Sequence, residues 1–348
     1  MLLALLLSVF VLCLYGMKIR VDGFCEDYLS RPQTDAIKGI FILLIVLSHS
    51  LGYIRDSGYN FNAFGDQFFI NFFSAAGQLV IVAFLFYSGY GVGESYKKKG
   101  IDYVRAFPYR RILTTLLNFD VAVIAFVVLS LCLGISISLK TGILSLIAWE
   151  SVGNSNWYIF VILLSYAFSY IVLLITPCHQ IRRVVMLFVF SVFAALILSL
   201  YKGNWWYDTI LSYPMGFLYS SCKNRFEDIL RRFYWLAGGF LLLVFLLFYF
   251  CPRIFPFFGY SLPHNIVSMA FAVLCVWLTM KVEITSPVLR WFGAHLFPVY
   301  IYMRIPMIFI EQRHSDLIAT QPALFIVLSL VVTVAIVYLY RFWQIKLN

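Results

Sequence analysis

Long apolar runs separated by short polar stretches continue from one end of this chain to the other. Runs able to cross a bilayer, or nearly so, fall near 1–17, 36–54, 68–92, 112–135, 156–176, 183–201, 205–221, 233–251, 264–281, 294–311 and 322–343, since about 20 apolar helical residues span the hydrocarbon layer. Several contain Gly or Pro, which membrane helices tolerate. The segment 141–150 is too short to cross and reads as a re-entrant or interfacial piece. Neither an internal repeat nor a low-complexity tract interrupts the pattern. It predicts an all-α fold, a polytopic membrane bundle of about 10–11 transmembrane helices, with residues 1–20 as an extra N-terminal transmembrane helix.

Composition agrees with the pattern. Apolar residues make up 62% of the 348 and charged residues 12%, with a mean hydropathy of +0.89, far from the polar surface a soluble domain needs. The net charge of +10 comes from loops and not from a basic stripe, so nucleic acid is not an expected partner. With 18–35, 93–111, 177–183, 221–232, 281–290 and the tail on the cytoplasmic side, about nineteen of the 26 Lys and Arg residues face the cytoplasm. The opposite loops hold five, Arg55, Lys140, Lys202, Arg253 and Arg313. Such alternation predicts an outside N-terminus and a cytoplasmic C-terminus. The run MLLALLLSVFVLCLYG is followed, not preceded, by Lys18 and Arg20 and lacks a small-residue cleavage site, so it is expected to be a retained helix. Seven cysteines (Cys13, Cys25, Cys132, Cys178, Cys222, Cys251, Cys275) lack metal or redox spacing, and neither a disulfide framework nor a metal site is expected.

Three ionisable residues inside apolar runs are candidates for chemistry, because charge within hydrocarbon is costly unless paired or hydrated. Lys38 and His49 are eleven positions apart on one run, which puts them on nearly the same helix face about 16 Å apart. Thr34 or Asp35 is expected to cap that helix. Arg304 sits mid-helix between Pro298 and Pro306, too deep to reach an interface. The structural alternatives are a snorkelling Lys38, a His49 bonded between helices, and an Arg304 bonded to backbone carbonyls.

On these residues the chain resembles the acyltransferase 3 family of bacterial membrane acyltransferases, whose best-known members O-acetylate cell-surface glycans. The family's basic residue, ten intervening positions and His is met by Lys38 to His49, after Asp35, with Lys in place of the commoner Arg. The run Val82-Ala83-Phe84-Leu85-Phe86-Tyr87-Ser88-Gly89-Tyr90 is similar to its aromatic stretch ending in Ser-Gly, and Arg105, Arg110 and Arg111 to its following arginines. Asn154-Ser155-Asn156-Trp157-Tyr158 resembles its Trp-Tyr element, and Trp291 to Tyr302 its late aromatic helix. Many members carry a second His after that helix, where Met303-Arg304 stands here, so no role of that His transfers.

The resemblance implies a membrane acyltransferase domain over 31–345 at the cell (plasma or inner) membrane, in cell-envelope polysaccharide modification. The donor would be acyl-CoA, by default acetyl-CoA, and the acceptor a hydroxyl of a surface or lipid-linked glycan. The outer hydrolase-like domain of some members is not expected. His49 is the expected general base, with Arg304 at the developing oxyanion or orienting the acceptor. Lys38, Arg105, Arg110 and Arg111 would meet donor phosphates, and Ser88 and Gly89 would let the pantetheine arm pass. Asn154, Asn156 and Trp157 would hold a sugar. Equally consistent with these residues are helix packing at Ser88 and Gly89, topology determination by the arginines and interfacial anchoring by Trp157. Besides lipid and acceptor, a homo-oligomer is left open. The rivals are a transporter or exporter of a glycan or lipid intermediate, which often shows inverted repeats, and a scaffold without chemistry, which has no need of buried charges.

Overall fold

A computed structural model describes residues 1–177, 179–254 and 261–347; Cys178 and the side chain of Arg253 lie outside them. The chain folds as the all-α membrane bundle its apolar runs predict. Among the described residues, eight helices are long and apolar enough to cross a bilayer. They are α2 (Arg31–Asp56), α4 (Leu79–Lys99), the continuous Ile101–Cys132, α8 (Trp157–Ile175), α9 (Gln180–Tyr201), α12 (Tyr234–Ile254), α13 (Ser261–Thr279) and α18 (Pro322–Tyr340). A ninth is bent by 68° between α14 (Pro287–Ala294) and the stretch from Leu296 to Arg313, made of α15 (Leu296–Tyr302) and α16 (Arg304–Arg313). The helix α1 (Leu2–Leu14) is shorter.

Three runs depart from the expected spans, each for a local reason. The run 68–92 is two helices, because Gly77 takes a left-handed φ of 48° and ends α3 (Phe64–Ala76) before α4 begins. The run 205–221 holds only a single 3-10 turn at Asn204–Trp206 and the ten-residue α10 (Ser212–Ser221). The last bent span breaks at His295. Within Ile101–Cys132, a π-helical segment, Pro108–Leu113, joins α5 (Ile101–Phe107) to α6 (Thr114–Cys132); such wide turns re-aim side chains. The segment 141–150 forms the short α7 (Leu139–Leu146), capped by the Ser138 side chain.

Glycines let the central helices touch backbone to backbone, the packing mode that replaces hydrophobic burial in lipid. A Cβ on Gly39 would lie 1.9 Å from the Leu289 carbonyl oxygen, and one on Gly293 1.7 Å from that of Asp35, so α2 and α14 are fused along one line. Gly89 and Gly216 do the same for α4 and α10, with 2.0 Å to the Tyr213 oxygen and 1.9 Å to that of Phe86.

At one end of the bundle, β1 (Met17–Ile19) pairs antiparallel with β2 (Val282–Ile284), placing Lys18 opposite Glu283. The Gln33 side chain clamps this ribbon, donating to the Val282 carbonyl at 2.9 Å and accepting from the Ile284 amide at 3.0 Å.

Candidate functional site

The helix carrying both Lys38 and His49 starts a turn earlier than the sequence suggested. Pro32 occupies its first turn and Ser30 the cap position, so neither Thr34 nor Asp35 caps it. Thr34 donates instead to the Arg31 carbonyl at 3.0 Å. Asp35 is released for an ion pair: its carboxylate accepts from Lys38 Nζ at 2.7 Å and lies 3.7 Å from the Arg31 guanidinium. Two cations around one buried carboxylate leave a net positive cluster. Lys38 keeps 23% of its side chain exposed, into a cavity of about 760 Å³.

That cavity gathers Arg31, Lys38, Ser88 and Arg111, with Tyr158 and Tyr166 in its wall. The π-helical segment turns Arg111 inward, while Arg110 points out and is exposed. Arg105 is also at the surface, 76% exposed and 3.6 Å from the equally exposed Asp102. Gly89 is turned instead against α10. Of the predicted donor residues, the fold therefore brings together Lys38, Ser88 and Arg111. Arg31, which shares their cavity, was missed by reading the chain for charges inside apolar runs; it lies seven residues before Lys38, on the same helical face.

A second cavity, of about 610 Å³, contains His49 and Arg304 together. The Arg304 guanidinium donates through Nε to the Tyr53 hydroxyl at 3.0 Å and through Nη1 to the Asn154 carbonyl at 3.4 Å, with its carbon 5.6 Å from the Tyr53 ring centroid. Pro306 has no N–H for the Tyr302 carbonyl, which loosens the backbone where Arg304 stands. Asp56 and Glu311 add carboxylates to this wall, and Ser136, Ser138 and Ser151 add hydroxyls. Tyr53, four residues after His49, and Asp56, seven after, also escaped the sequence reading. Helical spacing alone put them on the His49 face.

The loop before α8 supports Arg304 from outside the helices. Ala148 holds a φ of 58°, a strained value for a residue with a side chain. Its carbonyl accepts from Asn156 Nδ2 at 2.9 Å. Asn154 Oδ1 accepts from the Val152 amide at 3.0 Å, and Ser151 donates to the Asn154 carbonyl at 2.7 Å. Asn154 Oδ1 and Asn156 Nδ2 thus serve the loop, and what meets Arg304 from Asn154 is its backbone oxygen. Trp157 opens α8 half-buried, edge-on to Tyr158. Lys202 pins the loop by donating to the Trp149 carbonyl at 2.7 Å, its ammonium 4.3 Å and 4.7 Å from the Trp149 and Trp206 rings.

The two cavities occupy opposite ends of the same helices. The first touches α2 at Arg31–Lys38, the long Ile101–Cys132 helix at Arg111 and Thr115, and the bent span at Gly293–Phe297. The second touches α2 at Ser48–Asp56, the long helix at Ser130, and the bent span at Arg304–Gln312. Between them lies an aromatic septum. Tyr158 and Tyr300 meet edge to face with centroids 5.2 Å apart, and Phe84 backs Tyr158 at 6.0 Å. All three are buried, and Tyr300 stands one turn before Arg304.

A family model described as an acyltransferase domain matches residues 31–342. No curated protein and no solved structure matches the chain.

Proposed function

Because the chain belongs to the acyltransferase 3 family and is a membrane acyltransferase, we propose that it carries an acetyl group from acetyl-CoA on the cytoplasmic side to a glycan hydroxyl on the outer side. The observation that carries this reading is the pair of polar cavities at opposite ends of α2, meeting at the Tyr158–Tyr300 septum. A reaction between substrates from opposite sides of a membrane needs two approaches converging on one thin barrier.

The end of α2 at Arg31–Lys38 is taken as cytoplasmic because α4 ends there in Lys97, Lys98 and Lys99, and short cytoplasmic loops are enriched in such cations. Arg31, Lys38 and Arg111 then receive the donor's phosphates, Ser88 borders the path of the pantetheine arm, and Arg105 and Arg110 raise the anion concentration at the mouth. The acceptor enters the other cavity, whose serines, Asp56 and Glu311 suit a ligand rich in hydroxyls. Asn154, Asn156 and Trp157 shape that entrance through the loop they close.

In the transfer, His49 takes the proton of the acceptor hydroxyl as its oxygen bonds to the thioester carbonyl carbon. Arg304, held by Tyr53, faces the negative charge that develops on the carbonyl oxygen. As the tetrahedral centre collapses, the carbon–sulfur bond breaks, and the imidazolium returns its proton to the departing thiolate. The products are an O-acetyl ester and free CoA.

The closed septum also suits an exporter that opens one side at a time. Labelled acetyl-CoA given to the purified protein separates the two readings, because an exporter leaves the thioester intact. The decisive comparison is mass spectrometry of surface glycans with and without the protein, where the acyltransferase reading requires loss of an acetyl mass on deletion. Unchanged glycans and unreacted donor would refute it.

A further inference from the structure

We propose that the junction of α9, α10 and α11 (Lys223–Arg232) is a binding site for one anionic phospholipid, set on the lipid-facing flank and separated from the first reaction cavity by the Lys97–Glu94 pair. A cavity of about 430 Å³ opens there. Its apolar wall includes Ile181 and Val185 of α9 and Leu218 of α10, and its rim carries Lys97, Lys223 and Arg225.

Two of these cations have internal carboxylates, but neither carboxylate is theirs alone. Glu94 lies 2.8 Å from Lys97 and also accepts from the Ser220 hydroxyl at 2.8 Å. Glu227 lies 3.6 Å from Lys223 and accepts from the Tyr28 hydroxyl at 2.7 Å. Arg225 is exposed and pairs with no carboxylate among the described residues. The rim therefore keeps a net positive charge that a phosphate diester would neutralise.

The wall leads into the bilayer. Ile181, Val185 and Val189 recur every four residues along α9 and are 80%, 53% and 57% exposed, a strip along which an acyl chain can lie. The helix α11 follows directly on α10 and carries Arg225 and Arg232 on one side, beside Ile229, which is 57% exposed. A short helix of that kind lies in the headgroup plane, so the phosphate-level cations and the acyl-level strip meet at the depths a phospholipid requires. The rim also lies at the end of α4 bearing Lys97–Lys99, the face that positive loops assign to the leaflet richer in anionic lipid.

The test uses the full chain, delipidated in detergent and titrated with phosphatidylglycerol or phosphatidylcholine under native mass spectrometry. One phosphatidylglycerol is expected to be retained, and Arg225→Glu should weaken retention by more than the roughly fivefold worth of one interfacial charge. Val185→Trp, which fills the cavity without touching the rim, should displace the lipid equally well and keeps the question decidable if the charge reversal does not accumulate. Equal retention of both lipids overturns the proposal. Displacement by inorganic phosphate alone identifies a free-anion site instead, and displacement by CoA identifies a donor subsite; either result also overturns it.

Discussion

Arg304 and Tyr53, 251 positions apart in sequence, are joined by a 3.0 Å hydrogen bond from guanidinium to hydroxyl. Tyr53 stands one turn past His49 on α2, so this bond sets the distance between the proposed base and the proposed oxyanion partner. Tyr53→Phe keeps the ring beneath the guanidinium and removes only the hydroxyl. A hydrogen bond to a charged group is worth about 1.5–3 kcal/mol, so kcat/KM should fall about ten- to hundredfold. The amount of membrane-inserted protein should stay at the parent level, as quantitative blotting would show.

His49→Ala should abolish acetyl transfer while the protein still inserts and accumulates. The readout is labelled acetyl recovered in the acceptor. Near-normal transfer by this variant would eliminate His49 as the base.

The Asp35–Lys38 pair predicts two different defects. Asp35→Ala leaves a half-buried ammonium unpaired; because Lys38 still reaches the cavity, the loss should be about 1–3 kcal/mol and not the full buried-pair penalty, read as a lower melting temperature. Lys38→Ala leaves Asp35 beside Arg31, so the fold should survive while the donor KM rises and the acceptor KM does not. Equal changes in both Michaelis constants would remove Lys38 from the donor site.

Gly89 and Gly91 separate packing from ligand contact. A Cβ on Gly89 meets the Tyr213 carbonyl at 2.0 Å, whereas one on Gly91 meets nothing within 4 Å, although Gly91 borders the first cavity. Gly89→Ala should push α4 from α10 and cut accumulation severalfold, and Gly91→Ala should be silent in a fluorescence-detected size-exclusion assay. Normal accumulation of Gly89→Ala with a raised donor KM would return Gly89 to the donor path.

The septum predicts a leak. Tyr158→Ala deletes the ring that separates the two cavities, so water from the acceptor side should reach the thioester. Acetyl-CoA hydrolysis without acceptor should rise severalfold, measured as free thiol released. No rise would mean that Tyr158 is not the barrier.

The membrane bundle and its three intramembrane ionisable residues were legible in the sequence, because an ionisable group in an apolar run stands out against its neighbours. The shared face of Lys38 and His49 followed from helical spacing alone. What could not be read depends on partners distant in sequence. The break at Gly77 looks like any glycine inside an apolar run until its φ is known. Asp35 looked like a cap because the helix start was set by hydrophobicity, while Pro32 and the clamp at Gln33 extend α2 by a turn. The sequence could not show that Asn154 Oδ1 accepts from the Val152 amide and Asn156 Nδ2 donates to the Ala148 carbonyl, since both bonds depend on the path of the loop. Arg304 stood out in the sequence, but its orientation depends on Tyr53 from the other end of the chain.

The Gln33 clamp and the close approach of α2 and α14 at Gly39 and Gly293 have a consequence for biogenesis. The helix that bears Lys38 and the proposed base His49 emerges early from the ribosome, but the second strand of the ribbon and the α14 backbone it seats against are made only after residue 280. Contacts so far apart in sequence form late. A product truncated before residue 280 would therefore lack the surface against which the Lys38 end of α2 seats.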